Sequence, residues 1–398
     1  MLSKEVGAAL GALREWVDES AFVQFFKYVT SVNLYAANPH VVCRAHAHQI
    51  SLFEDYIDGE FGHFAVGAAM TLDLPVFRDE LDDWQRGICD KLLEAELMRE
   101  VDGALRMGRF QLISVHGLPL LVDSRVNYPG PITHEVYFGV DSAMLAYYVD
   151  TSRFAPDQPA LDLGTGTAFL PLYLSNHSSK VVATDIAPRA RELARMNIAL
   201  NRREDRIELR EEKFEDTFAR GERYKTITFN PPFVALPQEL NAPIYAKGVE
   251  TDGLGYCRTF LDRFEQLVAP GGAAYIVADL VGTRAEPFYM EELRRRAEDQ
   301  RLCIEVFVDS RNDYVDNTRQ FEVLGAYLQR ENPELTVEEC TRRVENLHRV
   351  QLGACATHLS TIAVRRATHV APYCRLFNRY RNLAFGEGVV PSQLKAAG

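Results

Sequence analysis

Apolar positions recur at helical spacing over the first part of the chain and give way to short β-like runs further on. Val6–Val17 places apolar side chains three and four apart, which predicts a helix. Ala21–Val29 is denser in apolar and aromatic residues, as expected of a helix packed in a bundle core or lining a lid. Residues 1 to about 75 read as mostly helical. Phe77–Val101 continues that pattern, with Asp79, Glu80, Asp82 and Asp83 as an acidic, solvated face. Ala104–Val122 then alternates about a turn at His116-Gly117, which predicts a β-hairpin.

From 159 to about 282 apolar runs and helical patterns alternate. Strands are expected at Ala160–Leu163, Lys180–Asp185, Ile207–Arg210, Tyr224–Asn230 and Ala273–Ala278, and helices at Ala168–Leu174, Arg189–Leu200 and Leu261–Val268. Such alternation implies an α/β fold, a parallel sheet with helices on both faces. A charged helix (Glu291–Arg301), a strand (Cys303–Val308), two amphipathic helices (Phe321–Arg330 and Val337–Val350) and a last strand (Ser360–Arg365) follow.

This organisation predicts an N-terminal helical and hairpin module over 1–125, acting as an accessory or lid domain. Helices followed by a hairpin resemble a winged-helix module. Asp123–Pro131, with Tyr128-Pro-Gly-Pro131, reads as a linker, and 126–398 as the α/β domain, with a helical insertion at about 312–352. Such an insertion serves as a substrate cap or as a homodimer surface.

Charge narrows the partners. The chain has 398 residues and a formal net charge of −12, whereas nucleic-acid binders rely on a basic face to neutralise phosphate. The one basic run with aromatics is the short segment Arg375–Arg381, so no nucleic-acid partner is expected. No apolar run approaches a membrane span. The N-terminal residues Met-Leu-Ser-Lys-Glu-Val lack the regions of a signal peptide. Seven widely spaced cysteines without Cys-x-x-Cys read as reduced core residues. Together these lead to the expectation of a cytoplasmic protein with no membrane partner. His46 and His48 have no third ligand near them, so no metal site is expected.

The candidate chemistry lies in two stretches. In the first, Pro159–Ala168, an apolar strand runs into a turn with Gly164 and Gly166, whose lack of a Cβ lets a ligand approach closely. Asp185 stands at the end of the next strand, 21 positions after Gly164 (185 − 164), where a carboxylate meets ribose hydroxyls in nucleotide-binding βαβ units. In the second, Asn230-Pro-Pro-Phe233 closes a β-rich run. Its prolines remove two backbone donors and stiffen the loop, so the Asn230 side chain and nearby carbonyls can serve as acceptors for an amine or planar nitrogen. A dinucleotide-binding oxidoreductase would need glycine at 169, where the chain has Phe169.

Several features in order, Asp162-Leu-Gly-Thr-Gly166, Asp185, Glu212-Lys-Phe214, Asn230-Pro-Pro-Phe233 and Ala269-Pro-Gly-Gly272, resemble the class I S-adenosylmethionine (SAM) methyltransferases of the Asn/Asp-Pro-Pro-Tyr/Phe type. The likeness covers roughly residues 130 to 282, and is greatest to the branch that includes the release-factor and ribosomal-protein glutamine methyltransferases. Ala168 stands where that family often has a third glycine. The resemblance implies a Rossmann-like class I sheet and SAM as cofactor. It implies that Tyr137, Phe138 and Asp141 lie over the methionine end, that Glu212 faces the adenine amino group and that Phe214 flanks its ring. Asp162, Gly164, Thr165, Gly166, Asp185, Ile186 and Asn230 complete the cofactor candidates. Asn230, Pro231, Phe233 and Tyr245 are the catalytic candidates, with Lys247 and Asp252 as further substrate contacts. The implied activity is nitrogen attack on SAM, with a small molecule or an amino-acid or protein amide as acceptor. Two alternatives stay open. One is cyclisation of SAM by its own α-amine to azetidine-2-carboxylate, releasing methylthioadenosine. The other is a non-catalytic interaction protein of the same fold.

Overall fold

The computed structural model describes residues 2–20, 22, 65–73, 75–123, 136–154, 158–315 and 318–379. The Ala21–Val29 helix apart from Phe22, the His46/His48 pair, the linker beyond Asp123 and the tail past Arg379 lie outside the described residues. The chain divides into two compact units, Met1–Asn230 with Arg263–Gly272, and Pro231–Asp262 with Ala273–Gly398. No helix among the described residues is long and apolar enough to cross a membrane.

The first unit opens with α1 (Lys4–Glu19), capped where Ser3 Oγ accepts from the Val6 amide at 3.2 Å and burying Leu10, Leu13, Trp16 and Val17. After α2 (Ala65–Leu72) come β1 (Val76–Phe77), α3 (Asp83–Glu94), β2 (Met98–Val101) and β3 (Ala104–Met107). The three strands form an antiparallel sheet in the order β1-β3-β2. This corrects the continuous helical reading of 77–101. Strands of two to four residues carry too little alternation to be told from helix, and their identity rests on distant partners such as Val76↔Leu105 and Met98↔Met107. The single predicted hairpin is also two. One turns at Asp102-Gly103 between β2 and β3. The other, β4 (Phe110–Val115) with β5 (Leu118–Asp123), turns at His116-Gly117 as the sequence implies. Both turns hold two successive residues at positive φ, which suits the twist of a tight hairpin.

The rest of this unit is α/β. Its elements are α4 (Val140–Tyr148), β6 (Ala160–Leu163), α5 (Phe169–Leu174), β7 (Val181–Asp185), α6 (Pro188–Leu200), β8 (Ile207–Glu211), α7 (Phe214–Thr217) and β9 (Tyr224–Phe229). The strands are parallel in the order β9-β6-β7-β8. All four residues of β6 are buried, as expected of a strand covered on both faces. Strand addition runs from β6 through β7 to β8 on one side and resumes with β9 on the other. That reversal opens a crevice at the carboxyl ends, where open α/β sheets bind ligands.

The second unit begins with the loop from Pro231 to α8 (Gly255–Asp262). The helix predicted at Leu261–Val268 is thus displaced: α8 starts earlier, and α9 (Phe264–Leu267) is a separate turn belonging to the first unit. Next come β10 (Val268–Gly282), α10 (Tyr289–Asp299), β11 (Leu302–Asp313), α11 (Arg319–Glu331), α12 (Val337–Asn346), a π-helical turn (Leu347–Gln351), β12 (Ala356–Arg366) and β13 (Tyr373–Asn378). β12 pairs antiparallel with β10 and β11, and β13 adds parallel to β11. The two amphipathic helices of the predicted insertion are α11 and α12. They close over Tyr314, Phe321, Leu328, Cys340 and Val344. β13 was not foreseen from the sequence.

Candidate functional site: a glycine turn and a buried amide–carboxylate cluster

The first unit carries the groups expected to hold a nucleotide. After β6 the chain passes through Gly164, Gly166 and Ala168 at φ of 65°, 53° and 63° before entering α5. A Cβ at Gly164 would meet nothing within 4 Å, so the turn is open at that point. Ala168 holds the left-handed conformation without being glycine, which costs about 1–2 kcal/mol. Burial and its amide bond to the Thr165 carbonyl (2.9 Å) keep it there.

Asp185, at the end of β7, faces this turn. Its Oδ2 accepts from the Gly166 amide at 2.9 Å and its Oδ1 from the Ala187 amide at 2.8 Å. Burial raises its pKa, and these amides partly offset the rise. Each oxygen keeps a second lone pair available to a hydroxyl. Ile186 follows as an exposed apolar side chain. Asp162 is buried in β6. Its Oδ1 accepts from the Thr228 hydroxyl at 2.6 Å, and its Oδ2 has no partner. Burial pushes its pKa up to about 7, against the pull of the Thr228 and Thr165 hydroxyls, and the nearby charge of Asp185 adds to the rise. Thr165 is buried beside it, its amide bonded to the Thr184 carbonyl (2.9 Å).

Glu212 lies just past β8. Its Oε2 pairs with the Arg220 guanidinium, and its buried Oε1 has no partner. Phe214 stacks on Phe229 (centroids 4.9 Å apart, planes at 11°) and meets Phe218 edge-on at 5.1 Å. Sequence reasoning missed both aromatic partners, because Phe229 reads there only as a strand residue.

The third group joins distant parts of the chain. Asn230 Nδ2 donates to Asp141 Oδ2 (2.9 Å) and to Ser142 Oγ (3.0 Å), and the Tyr137 hydroxyl donates to Asp141 Oδ1 (3.1 Å). Asp141 is buried, and burial raises its pKa against the pull of Asn230 and Tyr137. With both donors of its amide directed into this cluster, Asn230 offers its Oδ1 as an acceptor. A Cβ at Gly139 would lie 1.9 Å from the Tyr137 hydroxyl, so the close approach of Tyr137 to Asp141 needs glycine there. Phe138 is buried edge-on against Phe169 at 5.5 Å.

The remaining candidates belong to the second unit. Pro231 is buried and Phe233 half-buried. The Val234 amide donates to the Ala246 carbonyl and the Gly248 amide to the Val234 carbonyl, folding the loop back on itself. Gly253, at φ +81°, rests against the Phe233 carbonyl, where a Cβ would come within 2.3 Å. Lys247 Nζ donates to the Gln238 (2.8 Å) and Leu240 (2.7 Å) carbonyls, and Asp252 pairs with Arg258 (2.6 Å). Both therefore brace the loop. Tyr245 hydrogen-bonds Tyr327 of α11 through their hydroxyls. A residue pair that the sequence did not single out secures the same loop from behind. His348 Nε2 lies 2.9 Å from the Ala235 carbonyl, which can only accept, so this nitrogen carries the proton. Its Nδ1 then accepts from the Tyr314 hydroxyl at 2.5 Å. Burial lowers the His348 pKa, which favours this neutral form.

Residues 138–279 match the family model described as Methyltransferase small domain. That stretch holds the glycine turn and the parallel strands β6 to β9. The chain is 29% identical over 189 residues to a release factor glutamine methyltransferase of Deinococcus radiodurans, covering 45% of this chain and 62% of that protein. It thus spans less than two thirds of that relative. Among solved structures, it is similar to a SAM-dependent methyltransferase from Agrobacterium tumefaciens (13% identity, 70% of this chain and 80% of that one, TM-score 0.39). It is also similar to Trm5b from Pyrococcus abyssi (14% identity, 67% and 62%, TM-score 0.37).

Proposed function

We propose that this chain is a SAM-dependent methyltransferase acting on a nitrogen, with Asn230 orienting the acceptor. The observation that carries the reading is the Asn230 amide, whose two donors are engaged by Asp141 and Ser142. Its Oδ1 is thereby turned into a fixed acceptor for an N–H of the incoming group. Holding that N–H aligns the nitrogen lone pair, and alignment is the main requirement of a displacement at carbon. The residues present suit SAM. Asp185 would take the ribose hydroxyls and Glu212 Oε1, buried without a partner, the adenine amino group. Gly164 leaves room for the adenosine at the turn, and Ile186 and Phe214 supply apolar surface. Asp162 Oδ2 and Asp141 are carboxylates suited to the cationic methionine end, with Tyr137 and Phe138 beside them. When bound, SAM supplies a methyl carbon made electrophilic by its sulfonium. The Pro231 carbonyl is a second acceptor for the nucleophile, and Phe233 and Tyr245 are substrate-side groups.

The acceptor class in this reading is an amide or amine nitrogen of a small molecule, amino acid or protein. The similarity to a protein named for glutamine methylation supports an amide. The net charge of −12 argues against nucleic acid. Residues 1–125 are accessory, and 126–398 carry the chemistry.

Incubation with SAM, with and without a panel of amide and amine acceptors including glutamine-containing peptides, tests this by mass spectrometry. Adenosylhomocysteine formed only with an acceptor, together with a methylated nitrogen, is the expected result. Methylthioadenosine and a four-membered imino acid from SAM alone would replace transfer by cyclisation. A gel-shift complex with DNA or RNA of submicromolar affinity at physiological salt would overturn the acceptor class.

A further inference from the structure

We infer that the β4–β5 hairpin of the N-terminal module is part of the cofactor site, and that Asn197 is the positioning residue linking the two. The inference rests on SAM binding at the glycine turn and extends it to a segment outside the family match, which begins at residue 138.

Three contacts carry it, all within the first unit. Asn197 sits in α6 and is completely buried. Its Oδ1 accepts from the Leu121 amide at 2.7 Å. Its Nδ2 donates to the Leu121 carbonyl at 2.8 Å and to the Thr167 carbonyl at 2.9 Å. One side chain thus pairs with the backbone of β5 as another strand would, while gripping the glycine turn between Gly166 and Ala168. Asp123, the last residue of β5, works in parallel. Its Oδ2 accepts from the Val136 amide at 2.9 Å, immediately before Tyr137 and Phe138, and its Oδ1 pairs with Arg189 of α6 at 3.0 Å. At the other end of the hairpin, the His116 ring lies 3.3 Å from the Ala143 carbonyl of α4, the helix that carries Asp141 and Ser142.

The hairpin therefore reaches the glycine turn through Asn197, and meets the Tyr137 segment and α4 directly. Asn197 satisfies three buried backbone groups at once, and an unmet buried group is costly. The Thr167 carbonyl lies in a turn held at positive φ on both sides, so losing its donor removes one of the few contacts, beside the Asp185–Gly166 and Ala168–Thr165 bonds, that hold that strained conformation. Coupling of this kind is reciprocal: if the hairpin orders the turn, a ligand on the turn orders the hairpin.

Asn201 provides an internal control. It lies one helical turn further along, is buried, and donates to the Pro119 carbonyl of the same strand at 2.8 Å, without reaching the glycine turn. Calorimetric titration with SAM should show Asn197→Ala weaker than the wild type by about tenfold. Asn201→Ala should stay within about twofold, although both lower the melting temperature. Asn197→Gln, which keeps the amide, should regain part of the lost affinity. Equal affinity losses in the two alanine variants, or none in either, would overturn the inference.

Should Asn197→Ala not fold, the wild type still decides the matter. Hydrogen exchange of the 118–123 peptide should slow on adding SAM, and exchange unchanged at saturating SAM would refute the coupling. Failure of wild-type protein to bind SAM at all would instead remove the proposed function, so the two are distinguishable.

Discussion

Replacing Asp162 by asparagine should stabilise the protein at neutral pH and weaken its hold on SAM. Asp162 is buried, takes one hydrogen bond from Thr228, and leaves Oδ2 without a partner. Burial lifts its pKa from 3.8 to about 7 in the folded chain. A group whose folded value lies above its unfolded one favours folding while protonated, and that advantage fades as pH rises through the folded value. The gap of about three pH units, each worth about 1.4 kcal/mol, amounts to about 4 kcal/mol lost between pH 4 and pH 8. Asparagine keeps an oxygen for Thr228 and removes the charge. Relief of the neighbouring Asp185, whose pKa is also raised by burial, acts in the same direction. Urea denaturation followed by circular dichroism should find Asp162→Asn more stable than wild type by several kcal/mol at pH 8, with the difference shrinking towards zero near pH 4. A cationic ligand would instead favour the ionised carboxyl, so the same variant should bind SAM at least tenfold more weakly at pH 8 in calorimetry. Such an exchange of stability for binding is common at functional sites. A stability difference that does not change between pH 5 and pH 8 would show that Asp162 is not a strained acid, and unchanged SAM affinity would remove it from the site.

Further outcomes are expected at three other positions. Asp185→Ala should lower SAM affinity at least tenfold, since a hydrogen bond to a charged group is worth about 1.5–3 kcal/mol; calorimetry on the folded variant checks this. Asn230→Ala should slow turnover about 10- to 1,000-fold while SAM affinity stays within a few-fold, because its acceptor oxygen acts on the nucleophile. Normal turnover with much weaker SAM binding would make Asn230 a cofactor ligand instead. Tyr314→Phe should cost about 1–3 kcal/mol by leaving His348 Nδ1 buried without a donor, and an unchanged denaturation midpoint would show the pair to be unimportant for stability.

Local patterning was enough for much of this protein. Apolar runs mark β6 and β7, since strands buried on both faces read as continuous apolar segments whatever surrounds them, and the strand–helix alternation around them marks β8 and β9. The Gly164/Gly166 turn and Asp185 follow from their spacing along one βαβ unit, and the helices of the insertion from their own periodicity. Tertiary structure decided what depends on partners far along the chain. β1 and β2 are strands because β3 lies beside them, and two to four residues cannot announce that. Asp141 meets Asn230 across 89 positions, and Asn197 meets Leu121 across 76. Neither asparagine's amide orientation is written in its neighbours. Nor does a lone histidine such as His348 signal that its ring bridges Tyr314 and the Ala235 carbonyl, 113 residues away. Hydrophobic periodicity is a property of consecutive residues, whereas the direction of a buried polar group is set by whichever donor or acceptor the fold brings to it. That is why the strands around the site could be read in advance, while the hydrogen bonds that aim its side chains could not.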